Sequence, residues 1–145
     1  MILNAEERHL VAEARTATLG TIDPHGRPRL VPICFVLDGQ QLWSPLDEKA
    51  KSSADPRSLA RVRDILARSD VTLLVDRWSE DWTKLAWIRL NGRASLVEPD
   101  ADDIDRQLVI RALRAKYPQY EDHDLATRPM IQVDIDDATS WGALA

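Results

Sequence analysis

Apolar residues fall at helical spacing in three stretches of this chain and alternate or run together in short blocks over most of the rest. Asn4 stands ahead of Ala5-Glu-Glu-Arg8 and can cap a first helix running to about residue 15, with Leu10, Val11 and Ala14 as its apolar stripe. Between residues 56 and 68, Leu59, Val62, Ile65 and Leu66 share one face while Arg57, Arg61, Asp64 and Arg68 share the other. This spacing predicts one amphipathic helix, with Asp55 as N-cap and Pro56 at the first helical position. A third helix is predicted from about residue 100 to 116. Its acidic start, Asp100-Ala-Asp-Asp103, places negative charge where a helix N-terminus favours it.

The remaining blocks read as strands. Residues 18–22 and 29–37 flank the turn Asp23-Pro-His-Gly26, in which Gly26 is free to take a positive φ. Asp38-Gly39 is a two-residue hairpin signal that returns the chain along residues 41–44. Residues 71–75 and 85–97, separated by the loop 77–82, and a last strand near residues 130–135 complete the set. The order β-β-β-α-β-β-α-β predicts an α+β, mainly β domain over residues 1–145, a small antiparallel barrel with flanking helices. Strand 30–37 is apolar on both alternations, so a helix or a second subunit must cover its outer face. Pro32 within it implies an edge, a bulge or a place where the ladder is left for a ligand.

Composition narrows the chemistry. The formal charge of −5 argues against a general nucleic-acid binder, and the longest apolar run, residues 30–37, is far below the roughly 20 residues of a membrane span. Cys34 is the sole cysteine, and the start lacks the basic-then-apolar order of a signal peptide, so the cytoplasm is expected. His9, His25 and His123 lie far apart in sequence without metal-ligand spacing, and no metal site is expected. Neither G-x-G-x-x-G nor G-x-x-x-x-G-K-[ST] occurs, which argues against Rossmann and P-loop nucleotide sites. The notable polar stretch is Ser44-Pro-Leu-Asp-Glu-Lys-Ala-Lys-Ser52, which crowds two ammonium groups and two hydroxyls between a hairpin and a helix start. Such a loop suits an anion, the alternative being a solvated polar loop. Beside a sheet and tryptophans, it suits a flat aromatic cofactor that bears a phosphate.

The order Ala17-Thr-Leu-Gly-Thr-Ile22, Asp23-Pro-His-Gly-Arg-Pro28, Leu30-Val-Pro32 with Phe35, then Asp47-Glu-Lys-Ala-Lys51, Val71-Thr-Leu-Leu-Val-Asp76 and Asp81-Trp82, resembles the pyridoxamine-phosphate-oxidase-like split-barrel family. Within it, the chain is most similar to an actinobacterial subgroup of deazaflavin (coenzyme F420)-dependent enzymes. The resemblance implies a six-stranded split β-barrel and a homodimer with cofactor sites at the subunit interface. It also implies an oxidoreductase that passes hydride from reduced F420 to a small electron-poor substrate, with FMN as the alternative cofactor and a non-catalytic cofactor or haem carrier as the alternative role. Residue by residue, Lys49, Ala50, Lys51 and Ser52 match the phosphate loop, and Ser44 the end of the strand leading into it. Leu30, Val31, Pro32, Ile33 and Cys34 match the strand along the ring edge, and Asp81 and Trp82 a segment whose counterpart comes from the second subunit. Trp87 and Trp141 are expected at the dimer interface, and Arg57 and Arg61 are candidates for the cofactor's anionic tail. No catalytic proton donor is identified. The chain's last residues lack the arginine-bearing segment that pyridoxamine phosphate oxidases use on their substrate, which argues against that activity.

Overall fold

The computed structural model describes residues 2–46 and 55–144. Its sheet has seven antiparallel strands: β1 (Ala17–Ile22), β2 (Pro28–Ile33), β3 (Val36–Asp38), β4 (Gln41–Pro45), β5 (Asp70–Arg77), β6 (Ala86–Val97) and β7 (Met130–Gly142). They lie in the order β2-β1-β5-β6-β7-β4-β3. The two edge strands are β2 and β3, yet only Cys34 and Phe35 separate them in sequence. Three peptide units reach about 11 Å at most, so the sheet must curl until its edges nearly meet. This is the predicted α+β split barrel. Its count of seven strands rather than six arises because residues 29–37, expected as one strand, break at Cys34-Phe35.

Three helices flank the sheet: α1 (Ala5–Glu13), α2 (Ala60–Ala67) and α3 (Ile104–Lys116). The Asn4 cap is present as a full capping box with Glu7. Asp103 caps α3, so that helix begins later than its acidic run suggested, and Asp100 instead closes a short turn onto Asp102 N–H. The helix expected over residues 56–68 is two pieces. Asp55 caps a 3-10 turn, Pro56–Ser58, the chain turns extended at Leu59, and α2 follows. Val62 and Ile65 face the core, but Leu66 is exposed, and Asp64, expected on the solvated face, is buried.

Two apolar clusters hold these layers. Leu19, Leu73, Ile88, Leu90, Ile131 and Val133 fill the curl of the sheet, with Leu10, Val11, Val62 and Ile65 from the helices. Val109, Ile110 and Leu113 of α3 pack instead on Val36 and Trp43, covering the outer side of β3 and β4. The hairpin after β3 closes with Asp38 opposite Gln41, so its loop residues are Gly39, at φ 62°, and Gln40. Strand β7 runs seven residues beyond the predicted stretch and pairs along β6 with a register shift at Asn91/Gly92. A Cβ on Gly92 would lie 2.3 Å from the Asp134 carbonyl oxygen, so only glycine fits that bulge. Among the described residues, no helix is long and apolar enough to cross a membrane.

Candidate functional site

Where β2 and β3 part, side chains take the backbone groups that a ladder would have used. Ser44 Oγ donates to the Cys34 carbonyl at 2.8 Å, and Phe35 N–H donates to Tyr117 Oη at 3.1 Å. The Phe35 carbonyl lies 3.1 Å from Tyr117 Oη and accepts from Lys116 Nζ at 2.9 Å. The Tyr117 hydroxyl also lies 2.8 Å from the Arg15 carbonyl. These bonds satisfy the Cys34 carbonyl and both backbone groups of Phe35 where the barrel wall opens.

A recess of about 230 Å3 lies at this opening. Pro32, Ile33 and Cys34 form one wall and Ser44 and Pro45 another; Thr16, Arg61 and Tyr120 complete it. Among the described residues that line it there is one cation and no carboxylate, although the whole chain is acidic. Just behind Cys34, burial lowers the Lys116 ammonium from its ordinary 10.5 to about 8, and the nearby Arg15 charge pushes it the same way. Its Nζ also sits 3.9 Å from the Phe35 ring centroid. A larger groove, about 530 Å3, runs along α3 beside Arg111 and Arg114, with Glu121 in its lining; it contains none of the predicted site residues.

The structure therefore brings together Pro32, Ile33, Cys34 and Ser44. Leu30 and Val31 lie outside the recess, and Leu30 is 69% exposed on the outer sheet face. Lys49, Ala50, Lys51 and Ser52 fall outside the described residues. Asp81 and Trp82 stand on the exposed β5–β6 connection, where Asp81 accepts from Thr83 N–H and Oγ1. Opposite-strand register, Ala17 with Ile33 and Thr18 with Leu74, carries that connection past the end of the sheet where Ile33 leaves β2, without entering the recess of its own chain. Arg57 is held by both Asp55 and Glu98 and does not line the recess; Arg61 does. Sequence reading missed Thr16, Pro45 and Tyr120. Tyr120 arrives through a 3-10 turn after α3, and nothing local to it signals a site.

The family profile described as pyridoxamine 5'-phosphate oxidase matches residues 3–142. No curated protein matches the sequence. Among solved structures, the chain is similar to a conserved hypothetical protein of Mycobacterium tuberculosis, with TM-score 0.73 and 20% identity over 98% of this chain and 86% of that one. It is also similar to the heme storage protein HutZ of Vibrio cholerae, with TM-score 0.68 and 14% identity over 98% and 95%. An F420 reductase matches with TM-score 0.63 and 19% identity over 91% and 94%. At such identities these structures speak for the fold alone. The profile match spans almost the whole chain, and the chain belongs to the pyridoxamine 5'-phosphate oxidase family.

Proposed function

We propose that this protein is an F420-dependent reductase of the cytoplasm that acts on a small electron-poor substrate as a homodimer. The observation that carries this reading is the recess at the β2–β3 break, apolar on its Pro32, Ile33 and Pro45 sides and cationic at Arg61. A planar ring with an anionic tail has that same polarity. In sequence, Pro45 is followed almost at once by Asp47-Glu-Lys-Ala-Lys51, and the resemblance assigns Lys49 and Lys51 to the cofactor phosphate. An F420 reductase on the same fold adds support.

At about 230 Å3 the recess is smaller than the roughly 300–1,000 Å3 that drug-sized ligands occupy, which supports a reading in which one chain supplies part of the cofactor site. The rest is assigned to a second subunit. Leu30, Leu74 and Trp141 lie exposed on the sheet's outer face, an apolar patch suited to a twofold partner. When bound, deazaflavin supplies hydride chemistry. The chain's own part is to hold the ring end against Pro32–Cys34, to neutralise the anionic end with Arg61, Lys49 and Lys51, and to keep water from the reacting face.

The test is titration of pure protein with oxidised F420 and with FMN, followed by fluorescence. Binding of F420 with Lys51→Ala weakening it about 10- to 100-fold, the loss of one charge-assisted contact, supports the reading. Micromolar binding of FMN alone replaces the deazaflavin by a flavin, and unchanged affinity in Lys51→Ala removes the phosphate-loop assignment.

A further inference from the structure

Asp64 lies one helical turn beyond Arg61 and does not line the recess, yet it is tied to β2, which does, and to the neighbouring β1. The residue is 3% exposed. Its Oδ2 accepts from Arg29 Nε of β2 at 2.7 Å and from Thr21 Oγ1 of β1 at 2.7 Å. Residues three apart are neighbours on a helix surface, so the bonds that fix Asp64 also help to place Arg61.

The ends of α2 do little to set its rotation. The helix has eight residues and no side-chain cap, and the chain enters it through an extended Leu59. Val62 and Ile65 hold it to the core, but apolar contact is non-directional. A carboxylate bonded to a guanidinium and a hydroxyl is directional.

We propose that Asp64 is a positioning residue: by tying α2 to β1 and β2 it holds the Arg61 guanidinium at the recess, where the cofactor's anionic end binds. This rests on the recess being the cofactor site. It also predicts a sign opposite to simple electrostatics. A buried negative charge acting only through space would repel an anionic ligand, and neutralising it would tighten binding.

The experiment is a fluorescence titration of oxidised F420 against the wild type, Asp64→Asn, Arg61→Ala and the double variant, with folding checked by circular dichroism. Arg61→Ala is expected to weaken binding about tenfold or more, and Asp64→Asn about tenfold. In the Arg61→Ala background, Asp64→Asn is expected to add less than about a twofold loss, because its action runs through Arg61. Unchanged or tighter binding by Asp64→Asn, or losses that multiply in the double variant, overturns the positioning role. If Asp64→Asn does not fold, Thr21→Val carries the same cycle, weaker alone and silent with Arg61→Ala. Wild type that binds no F420, or an Arg61→Ala variant that binds as well as wild type, sinks the cofactor site and this role with it. A weakened Arg61→Ala beside a silent Asp64→Asn sinks the positioning role alone.

Discussion

Helices α2 and α3 each bury one charged side chain, and they satisfy it in different ways. In α2, Asp64 meets an opposite charge, Arg29, whose own side chain is partly in water. In α3, Arg106 is 1% exposed and donates to the carbonyls of Ala126 and Arg128, while its Nε has no partner among the described residues. Burial pushes its guanidinium down from the ordinary range despite Asp103, Glu98 and Asp100 nearby. The contrast separates two uses of a buried charge. Arg106 staples the irregular segment before β7 onto a long, capped helix, which is a matter of stability. Asp64 orients a short, weakly started helix beside the recess, which is a matter of aim.

That contrast can be broken by experiment, and the largest effect is expected at Arg106. Arg106→Ala removes two charge-assisted bonds, orphans two carbonyls and leaves a cavity, so a loss of about 3–5 kcal/mol in denaturant unfolding is expected. A change below about 1 kcal/mol would show that the staple is dispensable. Asp64→Asn keeps an acceptor for Thr21 and lets the half-solvated Arg29 relax into water. Its expected loss is about 1–2 kcal/mol, below that of a fully buried pair.

The smallest effect is a pH dependence from Lys116, at the end of α3. In the folded chain its ammonium titrates near 8, against 10.5 when unperturbed, because burial disfavours the charge. Between those values the unfolded chain binds more protons, so this group makes stability rise with pH across the window and contributes a constant penalty below it. Thermal melting from pH 7.5 to 10.5 is expected to show that rise in wild type relative to Lys116→Met. A flat difference would mean that the Phe35 carbonyl and ring already compensate the charge.

The strand and helix periods were legible because each element buries one face, and the β-β-β-α-β-β-α-β order follows from them. The break at Cys34-Phe35 was not, because it is set by Ser44, Lys116 and Tyr117, which no local pattern ties to it. The reading of Asp64 as solvated failed for a related reason. Helical spacing put it with three arginines, and its partners, Arg29 and Thr21, come from strands far back in the chain. Of the residues lining the recess, Pro32, Ile33, Cys34 and Ser44 were named by the resemblance, Pro32 also by its place within a strand and Ser44 by the polar stretch it opens. Arg61 was named only for a cofactor tail, and Tyr120 was invisible until α3 and its following turn were placed.

Since the barrel's two rims are joined by a covalent bridge at Cys34-Phe35 instead of a ladder, the four side-chain bonds described there can let go while every strand pairing stays intact. Amide protons lining this slit should therefore exchange with deuterium well before those of β5 and β6, and a bulky guest could be admitted by breathing at the slit without melting the staves around it.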